Sequence, residues 1–153
     1  MRIMKLEDFF SESEINLDLQ QDTVDGVLKE LIKLLKLDGR TNKMLFQMLR
    51  KRENLGSTGI GKGVAIPHCR SLLVNRVRVA FGRTRKGIDF NAIDKKKVSL
   101  FFLIVAPPIE VSNLYLPLLG RIAGLLKEND ILRKMKRVKT PQEFLKLLEG
   151  IPL

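Results

Sequence analysis

The chain has 153 residues, a length that suits one domain with a real core, and 44% of them are apolar. Lys and Arg outnumber Asp and Glu by 28 to 17, giving a net charge of +11, but the cations are scattered without interleaved aromatics, so a solvated basic surface is expected and no specific nucleic-acid site. A single Cys excludes an internal disulfide and, with a single His, a metal centre; the longest apolar run, residues 98–109, is interrupted by Ser99, ends in Pro107-Pro108 and is too short for membrane insertion.

At the N-terminus MRIMKLEDFF lacks the apolar core of a signal peptide, so a cytoplasmic protein is expected. Ile15, Leu17 and Leu19 alternate with polar residues and read as a short half-buried strand. Asp22-Thr23 can cap a helix running to about residue 37, with Val24, Val27, Leu28, Leu31, Leu34 and Leu35 on one face and Gly39 ending it. Thr41 starts a second helix to about Arg52, carrying Met44, Leu45, Met48 and Leu49 inward. A glycine-rich stretch follows. Residues 64–66 and 77–81 then read as strands, and Arg83-Thr84-Arg85-Lys86-Gly87 as a basic turn. The continuous apolar run VSLFFLIV, residues 98–105, has the pattern of a central strand covered on both faces. A helix is expected from residue 111 to about 127, with Leu114, Leu118, Ile122, Leu125 and Leu126 apolar and Pro117 early enough to be tolerated. Thr140-Pro141-Gln142-Glu143 signs a last helix with an N-cap, Pro at the first helical position and Glu three after the cap. Strands interspersed with helices, without repeat or linker, make residues 1–153 one layered α/β domain.

The chemistry concentrates in Gly56-Ser57-Thr58-Gly59-Ile60-Gly61-Lys62-Gly63, followed by Val64-Ala65-Ile66-Pro67 and the only histidine, His68. Glycines can turn several N–H groups toward one point and form an anion nest. Pro67 fixes its own φ and presents His68 stiffly. Ser57, Thr58, Gly59 and Gly61 are therefore candidate phosphate ligands. Arg52 ends the preceding helix where its planar fork could reach the same oxyanion. The spacing fits a nucleotide P-loop up to Lys62 and then fails, because Gly63 stands where Ser or Thr would bind magnesium and a helix, not a strand, precedes it. On composition alone, a glycine-rich turn beside a packed histidine is the alternative left open.

The run from Arg52-Glu53-Asn54-Leu55 through Ile66-Pro67-His68 resembles the phosphorylation-site signature of enzyme IIA domains of the bacterial sugar phosphotransferase system, mannitol/fructose class, which includes the nitrogen-regulatory IIA protein. Its pattern is an acidic or amide residue, a small-residue loop, then aliphatic, Ala, aliphatic, Pro and His. The resemblance extends over the whole length, from Met4-Lys5-Leu6 through Gly87-Ile88-Asp89-Phe90 and Ile104-Val105-Ala106-Pro107 to the C-terminal helix. It implies a small mixed β-sheet flanked by helices on both faces. It also implies that His68 accepts a phosphoryl group from phospho-HPr through Nε2, with Nδ1–H on a backbone carbonyl and Arg52 as the active-site arginine. No metal and no cofactor are implied beyond the covalent phosphoryl group on His68. The implied partner is either a regulatory target or a IIB transporter subunit, and Thr58-Gly59-Ile60-Gly61 with Ala65-Ile66-Pro67-His68 points to the regulatory type. Two positions depart from the family. Tyr115, in Tyr115-Leu116-Pro117-Leu118-Leu119-Gly120-Arg121-Ile122-Ala123, stands in place of a second histidine and brings one hydrogen bond but no charge. Lys62 stands where many relatives have a neutral residue, and with Arg52 it is expected to compensate. Tyr115 also leaves open a degenerate binding module that is never phosphorylated. Cys69 reads as a small packing residue.

Overall fold

The apolar run at residues 98–105 forms strand β6 (Val98–Ala106), and the other strands are arranged around it. In the computed structural model, which describes residues 4–153 and so leaves the first three of MRIMKLEDFF outside the described residues, β6 is buried on both faces. Leu100, Phe102, Ile104 and Ala106 enter one core, while Phe101, Leu103 and Val105 enter the other. That is the period-two signature of a strand sandwiched between layers. Strand β5 (Arg78–Ile88) pairs antiparallel on one side. On the other side β3 (Val64–Ala65) and β4 (His68–Arg70) pair with β6 one after the other, both parallel. Strand β1 (Ile15–Asn16) lies parallel to β5, and β2 (Gly59–Gly61) lies antiparallel to β3. The sheet order is thus β1-β5-β6-β3-β2, with β4 on β6 beyond β3.

Helices α1 (Val24–Lys33) and α2 (Gly39–Asn54) bury Val27, Leu28, Leu31, Leu45 and Leu49 against one face. Helices α3 (Tyr115–Gly124), α4 (Asn129–Met135) and α5 (Pro141–Leu148) bury Leu118, Ile122, Met135, Phe144 and Leu148 against the other, joined there by Leu6 and Phe10. The stacked rings of Phe81 and Phe144, with centroids 4.1 Å apart, pin α5 to the sheet. This is the mixed sheet with helices on both faces that the resemblance implied. Among the described residues no helix is long and apolar enough to cross a membrane.

Where sequence and structure differ, the causes are local. Helix α1 is capped by Thr23 Oγ1 as expected but stops at Lys33, because the chain turns through Lys36 at φ 58. Gly39 opens α2 instead of closing α1, since the Asp38 carboxylate accepts from Thr41 N at 2.8 Å and caps the helix two residues early. Met44 and Met48 lie on the outer side of α2, and only Leu45 and Leu49 of that quartet are buried. Residues 83–87 are not a turn but part of β5, because the half-buried Arg83 guanidinium donates to the carbonyls of Leu17, Met135 and Val138. The helix expected from residue 111 begins at Tyr115, and α4 was not foreseen. Helix α5 starts as its sequence demands: Thr140 Oγ1 accepts from Glu143 N, with Pro141 in the first turn.

Candidate functional site

The glycine-rich stretch folds as a hairpin. Gly59 pairs with Ala65 and Gly61 with Val64, while Gly61, Lys62 and Gly63 turn the tip with φ of 110, 54 and 79. The polar groups at its base are consumed internally. Glu53, buried at the end of α2, accepts from Thr58 N at 3.0 Å and from the Thr58 hydroxyl. The Ser57 hydroxyl donates to Phe90 O at 2.6 Å and accepts from Gly59 N at 3.0 Å. The nest expected from Ser57, Thr58, Gly59 and Gly61 is therefore a braced strand pair. The N–H groups of Thr58 and Gly59 meet acceptors of the protein itself, which spacing alone could not reveal.

Lys62 is likewise not beside His68. Its backbone N–H bonds Asp94, and its ammonium donates to Leu126 O and Asn129 Oδ1. The hairpin tip adjoins the start of β6, with Val64 opposite Leu100, whereas His68 lies opposite Ile104. Four residues of strand separate those registers, about 13 Å at 3.3 Å per residue.

Pro67 separates β3 from β4, and its carbonyl accepts from Ile104 N at 2.9 Å, so His68 emerges from a fixed backbone near the C-terminal end of β6. The imidazole is half-buried, and its Nδ1 lies 2.7 Å from Ile66 O. Tyr115, at the start of α3, has its ring centroid 6.4 Å from that of His68. The Arg70 guanidinium, two residues after the histidine, sits 4.4 Å over the Tyr115 ring and donates to Pro107 O. Arg52, half-buried near the end of α2, donates to Gly56 O at 2.7 Å. Burial pushes the Tyr115 phenol up to about 12; Cys69 adds to this, while the positive charges of Arg70 and Arg52 pull against it. Tyr115 thus stays a neutral phenol with the Arg70 guanidinium over its ring.

His68, Tyr115 and Arg52 are brought to one end of the sheet, and Ser57 with Thr58 to the hairpin base beside it. Sequence reasoning missed three residues there. Arg70 adds a second cation, and its spacing from His68 on a strand, placing both on one face, was the available signal. Glu53 holds Thr58. Glu110 accepts from Tyr115 N at 2.6 Å and so caps α3, which has no capping side chain at Leu114. Leu55, Leu72, Ile109, Val111 and Leu116 stand exposed in the segments that carry Arg52, Arg70 and Tyr115.

Residues 8–150 match the family described as phosphoenolpyruvate-dependent sugar phosphotransferase system, EIIA 2. The nitrogen regulatory protein of Bradyrhizobium diazoefficiens is 33% identical over 146 residues, which cover 95% of each chain. The fructose-specific EIIABC component of Bacillus subtilis is 27% identical over 147 residues; these are 95% of this chain but 23% of that relative, so the chain spans about a quarter of its length. The crystal structure of nitrogen regulatory protein IIA-Ntr from Neisseria meningitidis is similar at a TM-score of 0.84 and 32% identity, covering 94% of this chain and 98% of that one.

Proposed function

The chain belongs to the EIIA 2 family of the phosphoenolpyruvate-dependent sugar phosphotransferase system, and from that membership we propose that His68 accepts a phosphoryl group on Nε2 from phospho-HPr. The observation that carries this reading is the 2.7 Å contact between His68 Nδ1 and Ile66 O. A carbonyl only accepts, so Nδ1 carries the hydrogen and the lone pair of the neutral ring lies on Nε2. As Nε2 attacks, the N–P bond to the donor imidazole breaks while the bond to His68 forms, and the donor leaves as a neutral ring. Positive charge grows on the His68 ring, and its bond to the Ile66 carbonyl becomes charge-assisted. The phosphoryl oxygens need positive charge around them, which Arg52 and Arg70 supply, with the Tyr115 hydroxyl as a neutral donor. In this reading Ser57, Thr58, Gly59 and Gly61 shape the hairpin behind the site, and the exposed apolar residues around it form the rim on which the cytoplasmic phosphate donor docks.

Phosphorylation then serves as a signal read by a regulatory partner, as the likeness to nitrogen regulatory proteins over 95% of both chains favours. Onward transfer to a IIB transporter subunit is the second reading, favoured by the match to a fructose-specific component. Incubation with enzyme I, HPr and phosphoenolpyruvate should add one acid-labile, base-stable phosphate with the phosphorus resonance of an Nε2-phosphohistidine. His68→Ala should abolish it; incorporation that survives that change, or a resonance from Nδ1, would overturn the assignment. Loss of the label on adding a fructose-type or mannitol-type IIB domain would select the transporter reading.

A further inference from the structure

Some of the 28 basic residues gather at the end of β6 remote from His68. There the hairpin tip, the end of β5, the start of β6 and α4 surround an open cleft of about 620 Å³. Among the described residues six basic side chains line it, Lys62, Arg85, Lys96, Lys97, Arg133 and Lys136, and no acidic side chain does. Its volume lies within the roughly 300–1,000 Å³ of small-molecule sites. Gly63, Gly87 and Ser99 also line the cleft. At Gly87 a Cβ would stand 2.7 Å from Lys97 Cβ, so bare backbone there lets the Lys97 stem close in.

The counter-charges are few and lie outside the cleft. Arg85 pairs with Asp18 at 3.1 Å and Arg133 with Asp130, both pairs solvent-exposed. The Lys62 ammonium donates to the neutral oxygens of Leu126 and Asn129, while Asp94 takes the backbone N–H groups of Lys62 and Lys96. Lys97 and Lys136 make no side-chain hydrogen bond or ion pair among the described residues. Like charges gathered in a concavity raise a potential that a multivalent anion relieves. A single phosphate meets one or two of these groups, whereas six cations drawn from four parts of the chain match several linked phosphates. Among the described residues the lining holds no aromatic ring on which a nucleic-acid base would stack. We propose that this cleft binds a short polyphosphate chain, free or as the tail of a nucleoside polyphosphate. The site is separate from His68 chemistry, and Lys62 belongs to it.

Calorimetric titration of the unphosphorylated full chain at physiological salt tests this with tripolyphosphate, ATP and orthophosphate. Tripolyphosphate should bind saturably with one-to-one stoichiometry, and orthophosphate about tenfold more weakly or worse. The Lys97→Ala/Lys136→Ala pair should weaken tripolyphosphate about tenfold or more. Lys33→Ala/Lys43→Ala, an equal charge loss on the α1 and α2 side, should leave it unchanged. Equal affinity for ATP and tripolyphosphate assigns recognition to the phosphate chain, and a much tighter ATP assigns it to a nucleotide. Absence of saturable binding, equal weakening in both double variants, or duplex DNA displacing tripolyphosphate at physiological salt would overturn the proposal. All four lysines are exposed, and circular-dichroism melting verifies that both variants fold.

Discussion

At the scale of single residues, the site combines one group fixed by a hydrogen bond with others tuned by burial and charge. His68 is held by an acceptor at Nδ1, so its orientation does not depend on the charged groups around it. Those groups divide by what they offer a phosphoryl oxygen. A guanidinium gives charge-assisted contacts, whose loss typically costs about 1.5–3 kcal/mol, or roughly tenfold to a hundredfold in rate. Arg52→Gln should slow phosphoryl transfer to His68 by about that factor. Tyr115→Phe removes a neutral hydrogen bond and should cost under about tenfold. Rapid-quench rates from phospho-HPr decide it; a slower Tyr115→Phe than Arg52→Gln would make the phenol the principal ligand. Burial also sets a pH response. It pushes the Cys69 thiol up to about 11, from the usual value near 9. The unfolded chain releases that proton first, so the contribution is intact below about pH 9 and lost as pH rises toward 11. The melting temperature of Cys69→Ala minus that of the natural chain should rise across that window; a constant difference would show that the thiol is not sequestered. His68 and Arg52 were legible because their motif is local. Arg70 was legible only through its two-residue spacing from His68 on a strand, whereas Glu53 and Glu110 were not, because each acts on a backbone N–H five residues on that only the folded chain turns toward it.

The glycine hairpin carries the lesson at the scale of elements. Its spacing invites an anion nest, yet Thr58 N and Gly59 N bond Glu53 and the Ser57 hydroxyl instead. Gly59 is needed for space: a Cβ there would stand 2.7 Å from Ala92 Cβ and 2.9 Å from Ala92 Cα, the latter backbone that cannot swing aside. Gly59→Ala should destabilise the fold by about 1–3 kcal/mol through overpacking, read as a lower denaturant midpoint. The folded fraction should still be phosphorylated on His68 at close to the natural rate, because no ligand has been removed. A full loss of phosphorylation at unchanged stability would return Gly59 to the phosphate site. Elsewhere, legibility followed how far one face alone decides an element. β6 and α5 were plain because continuous apolarity and a cap sequence admit few alternatives. β5 was cut short because residues 83–87 read as charge, although Arg83 spends its guanidinium on three carbonyls inside the fold. α4 escaped because seven residues with two buried positions leave little periodicity.

At the scale of the whole molecule, net charge is the property that the family resemblance leaves unexplained. A chain at +11 repels itself, and the repulsion is sharpest around α4, where Arg133, Lys134, Lys136, Arg137 and Lys139 fall within seven residues and Asp130 pairs with two of them. The ion pairs of Arg50 with Asp25, Arg85 with Asp18 and Asp130 with its two partners are all solvent-exposed, and such pairs contribute about 0–1 kcal/mol each. Salt weakens attraction and repulsion alike, so the sign of its effect on stability reports which is larger. Raising potassium chloride from about 10 mM to about 150 mM shortens the Debye length from about 30 Å to about 8 Å. Repulsion across the cleft and along α4 acts over several side chains and is screened most, whereas the pairs act at contact and are screened least. The melting temperature should therefore rise over that range. Asp130→Asn, which removes a counter-charge, should steepen the rise, and Lys136→Gln, which removes a repelling one, should flatten it. A melting temperature that falls with potassium chloride would mean that the exposed pairs outweigh the surplus, and that the cleft is held in its cationic form at no cost to the fold.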